Sequence, residues 1–213
     1  MGTELKNVGQ RIAGSTIKPT VAMMLSYDSR FAFQIQANNP QFGYPEHFHQ
    51  FYRALSQRQI PIEIVAPTDD LSAYTLVVAP ALHLITKPVT ENLTNYVKAG
   101  GVLVVTPRTG VKDEGNAVVN LPLPGLLAKL CGVEVEEYDS LAPNMSNELE
   151  FALPELVSSS PVSVGVWCDI LKLTSATVVA RYHHDYYAGK PAITLNRFGQ
   201  GQVVYIGTFG DAH

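Results

Sequence analysis

The chain has 213 residues, of which 46% are hydrophobic and 16% charged, and its 15 Lys and Arg against 19 Asp and Glu give a formal net charge of −4. This composition is typical of a globular protein with a buried core and excludes a disordered or fibrous chain. It also predicts no nucleic-acid partner, because basic runs are lacking, and no membrane partner, because no apolar stretch approaches the roughly 20 residues of a membrane-spanning helix.

The first residues and the cysteines indicate the cellular compartment. Residues 1–20 contain no apolar segment that would serve as a secretion signal, so we expect a cytoplasmic protein. Cys131 and Cys168 match neither a disulfide framework nor a C-x-x-C pair. Both are therefore expected to be reduced, small, buried hydrophobic side chains.

Short β-rich apolar runs alternate with amphipathic segments from about residue 20 to about residue 143. This alternation is typical of βαβ units with a parallel sheet. It predicts core strands at 21–25, 60–65, 75–79 and 102–105, and a half-exposed strand at 133–136 near a sheet edge. The first strand is expected to end in a polar loop at 26–30.

The segments between these strands predict helices. One begins at Pro45, and the helical spacing places four apolar side chains on its packing face: Phe48, Phe51, Tyr52 and Leu55. Another runs from about Pro88 to the stop at Gly100-Gly101, with Val89, Leu93, Tyr96 and Val97 on one stripe. A short helix is expected before Gly132.

The remainder of the chain, from about residue 144, changes to a β-rich pattern. A Ser-rich connection at 154–161 precedes predicted strands at 162–169, 177–182, 191–196 and 202–208, the last two joined by a hairpin loop at 197–201. We therefore predict an α/β fold: a doubly wound, mostly parallel sheet of flavodoxin-like or class I glutamine amidotransferase-like type, with a β-rich C-terminal extension.

Ligands of open parallel sheets bind beyond the carboxyl ends of the strands. Those ends offer Asp28 with Arg30, His83 and Arg108 here, so a small-molecule crevice is one interpretation. Contact with another domain or subunit is the favoured one, because no glycine-rich phosphate-binding loop follows any strand. The enzymes of the amidotransferase group need a nucleophilic Cys on a strand-to-helix elbow. Residues 106–110 contain no cysteine, which argues against such a hydrolase.

The histidines do not predict a metal site. His47 and His49 lie two residues apart on a predicted helix and would point in nearly opposite directions. His183, His184 and Asp185 lie in a polar turn between predicted strands, where a surface or interface role is favoured over ligation. No metal and no cofactor is therefore predicted.

Five segments, taken in order, resemble the middle domain of family 42 glycoside hydrolases, the microbial β-galactosidases. They span nearly all of residues 4–211 and read VAMMLSYDSRFAFQ, PIEIVAPTDDLSAYTLVVAPALHLIT, NYVKAGGVLVVTPRTGVKDEGN, LPGLLAKLCGVEVEEYDSLAP and ARYHHDYYAGKPAITLNRFGQGQVVYIGT. Each segment alone is only moderately specific. Their common order and spacing make the resemblance strong.

The resemblance implies a three-part enzyme, in which a catalytic TIM barrel is followed by this trimerisation domain and then by a small β domain. The whole chain, 1–213, is then one amidotransferase-like domain with a core at about 20–143 and an extension at about 144–213. The family's catalytic glutamates lie on the barrel, and no segment here resembles the motifs around them. No catalytic residue is therefore assigned, and the fragment alone is expected to be inactive.

The resemblance also implies partners: a homotrimer of the chain itself, and the barrel of the same polypeptide. We expect the loops at 28–31 and 108–113 to face a barrel or a neighbouring subunit, with Asp28, Arg30, Phe31, Arg108 and Asp113 as contact residues. Phe31 departs from the family, which usually has Trp there, so an aromatic contact is kept and an indole hydrogen bond is lost. A free-standing small-molecule or carbohydrate-binding module of the same fold is the alternative function.

Overall fold

The structure is a computed structural model that describes residues 2–152 and 162–210, so the predicted Ser-rich connection lies outside the described residues. The helices are α1 (Gly2–Ile12), α2 (Tyr27–Ile35), α3 (Tyr44–Ser56), α4 (Lys87–Lys98) and α5 (Ala128–Cys131). The strands are β1 (Val21–Met24), β2 (Ile62–Val65), β3 (Leu76–Ala79), β4 (Val102–Val105), β5 (Val133–Ser140), β6 (Ser146–Phe151), β7 (Val162–Leu173), β8 (Thr177–Tyr182), β9 (Pro191–Phe198), β10 (Gly201–Ile206) and β11 (Thr208–Gly210). Within these ranges no helix is long and apolar enough to cross a membrane.

All the strands belong to one mixed sheet. Its order is β11-β7-β6-β8-β9-β10-β4-β3-β1-β2, with β5 paired to β7 outside this path. The pairs among β2, β1, β3, β4 and β10 are parallel, whereas those from β10 through β9, β8 and β6 to β7 are antiparallel. The predicted parallel core with a β-rich extension is confirmed, and the extension returns to the core because β10 pairs with β4.

Helices cover both faces of the parallel strands. On one face, Phe48 of α3 packs on Met23 and Val78. On the other, Leu93 and Val97 of α4 pack in a larger cluster with side chains of β1, β3, β4 and α5. The central strands β1, β3 and β4 are apolar on both faces because both are covered, which is why 102–105 reads as an unbroken apolar run.

The α4 prediction is confirmed in detail. Thr86 caps the helix by accepting a hydrogen bond from the amide of Val89, and all four residues of the predicted stripe are buried. Gly100 follows the helix with a φ of +115°, a conformation that side chains other than glycine rarely adopt. The glycine therefore ends the helix and turns the chain into β4, as the sequence indicates.

Two predictions are wrong. The expected polar loop after β1 is the first part of α2: Ser26 caps the helix by accepting from the amide of Ser29, so the polar residues form its first turn. Tyr52 was expected on the packing face of α3 but is exposed. The other three residues of the predicted face, Phe48, Phe51 and Leu55, pack against the parallel strands.

Strand β6 and helix α1 were not predicted. Strand β6 lies between β7 and β8 and carries the segment SNELEF, in which two buried residues, Asn147 and Leu149, alternate with more exposed ones. Its acidic residues hid the alternation. Helix α1 lies before the segment where the periodic pattern begins, and its apolar residues Leu5, Val8 and Ile12 are exposed.

The predicted hairpin between β9 and β10 is confirmed, with Phe198 opposite Gly201 and Gly199 at a φ of +61° in the turn. Gly201 is buried where β10 passes the end of α4. A Cβ at this position would collide with the backbone carbonyl oxygens of Gly101 and Val97.

We expect Gly201→Ala to lower the free energy of unfolding by about 1–3 kcal/mol, because the methyl group forces two backbone segments apart. Urea unfolding followed by circular dichroism measures this change. Gly165→Ala is the matched control: it also lies in a strand, but its new Cβ would be 3.6 Å from its nearest neighbour, the carbonyl of Met145. Equal effects of the two substitutions would contradict the prediction.

Candidate functional site

The candidate site lies beyond the carboxyl ends of the parallel strands. The segments that follow β1, β3 and β4 meet there, and they bring together α2, residues 80–85 and residues 106–112. Ser29 Oγ accepts from the amide of Leu84 at 3.1 Å, and the amide of Lys112 donates to the carbonyl of His83 at 3.0 Å. The predicted residues His83 and Arg108 are therefore neighbours, as the parallel sheet requires.

Arg108 occupies the centre of this region. Its guanidinium carbon lies 5.0 Å from the ring centroid of Phe33 and 4.6 Å from that of Trp167. Its two terminal nitrogens donate to the carbonyl of Ala37 at 3.0 Å and to Oδ1 of Asn38 at 3.1 Å. The side chain is only 7% exposed, so the charge is held between aromatic groups and fixed acceptors.

The backbone of Arg108 has a φ of +67°, in the left-handed region that residues with side chains occupy rarely. This conformation occurs in the turn after β4. The carbonyl of Arg108 accepts a hydrogen bond from Nδ1 of His83 at 2.9 Å. Side chain and backbone of the same residue therefore join three segments of the chain.

An irregularity in β7 positions Trp167, the second aromatic ring beside the guanidinium of Arg108. Thr208 of β11 pairs with Cys168, whereas Phe209 pairs with Gly165, so Val166 and Trp167 form a bulge. Val166 has a φ of +62°, which is strained for a β-branched residue. The bulge allows Trp167 to lie on Arg108.

Trp167 lies within a stack and a hydrogen-bond chain. Tyr138 stacks on its ring with centroids 4.5 Å apart and an interplanar angle of 17°. Its indole nitrogen donates to Oδ1 of Asp169 at 2.8 Å, and the hydroxyl of Tyr205 donates to Oδ2 at 2.8 Å. Burial raises the pKa of Asp169 to about 6, although these hydrogen bonds and the charge of Arg108 lower it. We call Arg108, Phe33, Trp167, Asp169 and His83 the Arg108 cluster.

Two buried histidines flank the cluster. The Nε2 atom of His47 lies 2.8 Å from Oγ1 of Thr106, which also accepts from the amide of Ala81 at 2.7 Å. Burial lowers the pKa of His47 to about 3 and that of His83 to about 4. Nδ1 of His47 and Nε2 of His83 have no hydrogen-bond partner among residues 2–152 and 162–210. Both rings are therefore neutral parts of an aromatic core.

The arrangement offers packing rather than a reactive group. Side chains of the domain itself fill the region where an α/β sheet would hold a ligand. Cys131 ends α5, and Cys168 lies between Trp167 and Asp169 in β7. Both thiols are buried, as predicted, and burial raises the pKa of both. A thiol with a raised pKa is a poor nucleophile at neutral pH.

The five predicted contact residues have different environments. Asp28 and Phe31 are exposed on α2, and Arg30 between them is partly buried. Asp113 is exposed and holds its own loop, since Oδ1 accepts from the amides of residues 115 and 117 at 2.9 and 3.0 Å. Arg108 contacts groups of its own chain. That these residues face a barrel or another subunit stays a prediction.

The histidines that the sequence offers as possible metal ligands lie in different environments. His47 is buried, whereas His49 is exposed on the same helix. His183 and His184 lie 4.0 and 3.3 Å from the carboxylates of Glu150 and Glu148, on the surface. Among the residues that the structure describes, no group of three or more His, Cys, Asp or Glu is placed to hold a metal ion.

Trp167 and Asp169 are the main residues that the sequence did not reveal. Both belong to a segment that reads only as a strand, and their partners Arg108 and Tyr205 lie on distant parts of the chain. The one available signal was that Trp167 is the single tryptophan of the chain. Its position relative to Arg108 depends on the bulge, which no local pattern indicates.

These features define an α/β domain with a mixed sheet, a parallel core and a site closed by its own side chains. The sequence model described as "Beta-galactosidase trimerisation domain" matches residues 19–213. The beta-galactosidase BgaA of Clostridium cellulovorans is 33% identical to this chain over 96% of its length. The beta-galactosidase Bga of Halorubrum lacusprofundi is 35% identical to it over 93% of its length. A crystal structure of the beta-galactosidase from Bacillus circulans sp. alkalophilus superposes with a TM-score of 0.93 at 31% identity, over 99% of this chain.

The chain therefore belongs to the family of beta-galactosidase trimerisation domains of glycoside hydrolase family 42, as the resemblance implied. It spans 30% and 29% of the length of those two curated relatives and 31% of the crystallised one. The relatives are thus much longer proteins, of which this chain corresponds to one part.

We expect Arg108→Lys to lower the free energy of unfolding by about 1–3 kcal/mol. The lysine keeps the charge but loses the planar stack and the forked hydrogen bonds to Ala37 and Asn38. Chemical denaturation measures the change. Arg53→Lys, at an exposed position of α3, is the control and should stay within about 0.5 kcal/mol of the parent chain. Indistinguishable values for both variants would refute the role of Arg108.

We expect the free energy of unfolding to fall as the pH drops below about 6.5. His47 and His83 have folded pKa values of about 3 and 4, so only the unfolded state binds their protons between about 6.5 and 4. Asp169 acts in the opposite sense: its pKa of about 6 lies above the ordinary value of 3.8, so its contribution to stability grows as the pH falls through that window. The pKa shifts of the two histidines are larger than that of Asp169, so their effect on stability outweighs its effect.

Urea titrations between pH 7.5 and 4.5 test this pH dependence. His47→Phe should flatten the fall, because the ring can stay in its aromatic surroundings without a group to protonate. His49→Phe, at the exposed position on the same helix, is the control. An unchanged slope in His47→Phe would show that His47 is not responsible.

Proposed function

We propose that this chain assembles a cytoplasmic family 42 beta-galactosidase into a homotrimer. The family match over residues 19–213 carries the proposal, because self-association is the role that the family description names. The hydrolysis of terminal β-D-galactosides is assigned to a TIM barrel outside this chain. The domain itself is proposed to be catalytically inactive and to bind no cofactor.

The fold is further proposed to be of the flavodoxin-like, amidotransferase-like type. Support comes from the order of the parallel strands, β2-β1-β3-β4-β10, which is the order 2-1-3-4-5 of flavodoxin-like sheets when the last parallel strand is counted fifth. Enzymes of that group use the carboxyl ends of the strands for chemistry. In this chain the Arg108 cluster fills those ends, which fits a fold retained for assembly.

The physical contribution of the domain is a rigid body with defined surfaces. Arg108 links the turn after β4 to α2 and β7, so the loops at the carboxyl ends cannot move independently. Asp28, Arg30, Phe31 and Asp113 lie on this fixed edge. We propose that they contact the barrel or a neighbouring subunit, with Arg108 supporting them from beneath.

A binding module is the second candidate function. One observation favours it: a groove of about 390 Å³ at the opposite end of the sheet. Its lining combines tyrosine rings with a few polar groups, as small-molecule sites do: Asp70, Ser72, Tyr74, Asn92, Asn95 and Tyr96. Asn92 already donates to the carbonyls of Pro67 and Asp69, which leaves fewer free groups for a ligand.

We expect the molar mass of the chain in solution to approach three times 23.2 kDa as its concentration rises. Light scattering coupled to size-exclusion chromatography measures this mass. A monomer at every concentration, together with saturable binding of galactose or lactose by calorimetry, would favour the binding module instead. A trimer that takes up neither sugar supports assembly as the function of the domain.

A further inference from the structure

Helix α2 exposes an apolar stripe although it is packed into the domain on its other side. Tyr27, Phe31 and Ile35 are spaced four residues apart and therefore lie along one face of the helix. Their exposed fractions are 59%, 54% and 75%. The rings of Tyr27 and Phe31 are 6.3 Å apart, so the stripe is continuous at its start. Buried residues of α2, such as Phe33, face the domain.

A neighbouring loop adds to this surface. Ser29 of α2 is hydrogen-bonded to Leu84, Leu84 is bridged to Lys112, and Nζ of Lys112 lies 3.4 Å from the side-chain oxygen of Gln36. Lys112 is also bridged to Val118, and the loop it begins exposes two large apolar side chains, Val118 at 68% and Leu121 at 48%. These bonds hold Lys112, where the loop begins, against the end of α2.

We propose that this surface, formed by Tyr27, Phe31, Ile35, Val118 and Leu121 and called here the α2 patch, is the surface on which a second copy of the chain docks. The inference rests on the proposed function and deepens it, because it names the contact surface and chooses another copy rather than the barrel as the occupant. Isolated exposed apolar residues need no explanation, whereas a group held on one edge does.

The extent of the family match favours this patch over the other apolar helix face. Helix α1 exposes Leu5, Val8 and Ile12, but it lies before residue 19, where the family model begins. A role shared by the family must use residues within 19–213. Within that range, the other large exposed apolar side chains in the described residues lie singly on separate segments: Tyr52, Ile64, Tyr138, Met145, Leu173 and Tyr186.

The chemistry of the α2 patch also suits a protein partner of the same kind. Aromatic rings at its centre are the residues that dominate binding energy at interfaces. The segments that carry the patch hold charges of both signs: Asp28 and Arg30 on α2, and Asp113 and Glu114 in the loop. Repulsion between like charges therefore does not exclude another copy of a chain whose net charge is only −4. In a ring of three subunits the contact is head-to-tail, so each copy buries its patch against a different surface of the next copy.

The test compares the self-association of single variants. Phe31→Asp and Ile35→Asp each place a charge in the α2 patch at an exposed position, where the fold should tolerate it. Tyr186→Asp is the control, at an exposed aromatic residue in the loop between β8 and β9. Leu5→Asp tests the face of α1. Sedimentation equilibrium of each variant measures the dissociation constant of the trimer, and circular dichroism verifies folding.

We expect Phe31→Asp and Ile35→Asp to weaken the trimer at least about 30-fold, the effect of losing an interface hot spot, and Tyr186→Asp and Leu5→Asp to leave it unchanged. Folded Phe31→Asp and Ile35→Asp that remain trimeric would overturn the α2 patch while leaving the trimerisation role intact. Dissociation caused by Leu5→Asp alone would assign the contact to α1. A parent chain that is monomeric throughout contradicts both proposals.

Discussion

The position of the Arg108 guanidinium is the constraint on which the rest of the structure depends. It lies between the rings of Phe33 and Trp167, which belong to α2 and β7, and it follows β4 in the chain. A buried cation without fixed acceptors would cost several kcal/mol, so the carbonyl of Ala37 and the amide oxygen of Asn38 are parts of the same arrangement. The positive φ values of Arg108 and Val166 are strained on their own. They persist because both are needed to place the guanidinium of Arg108 on the ring of Trp167.

This arrangement explains why the antiparallel extension and the parallel core form one body. Strand β10 enters the parallel sheet beside β4, and at the carboxyl end Asp169 of β7 accepts a hydrogen bond from Tyr205 of β10. Asn39, in the segment after α2, brings its amide nitrogen within 2.9 Å of the carbonyl of Val166 at the bulge. The extension therefore contacts the core through the sheet and through the filled crevice at the same time.

Local patterns predicted most of the strands and helices because burial on one or both faces leaves a periodic trace, as in α4 and in 102–105. They failed where polar residues masked an element and where the decisive partner is distant. The polar residues after β1 form the first turn of a helix that Ser26 caps, and β6 is hidden by the acidic side chains of SNELEF. At the site, the sequence placed His83 and Arg108 at strand ends and hence near each other. It could not show that Arg108 points inward, since Trp167 reaches it through a bulge 59 positions further along the chain.

The filled crevice also changes where recognition can occur. An open crevice at the carboxyl ends would leave polar groups free for a ligand, but here those groups are used to fix the guanidinium, the carboxylate of Asp169 and two neutral histidines. The exposed surface at the carboxyl ends of the strands is then the outer face of α2. The inner face of this helix carries Phe33 of the Arg108 cluster. Because the inner and outer faces belong to one short helix, the packing that closes the crevice also sets the position of Tyr27, Phe31 and Ile35. A domain organised in this way presents an exposed apolar surface that need not be ordered on binding, and such preorganisation lowers the cost of association.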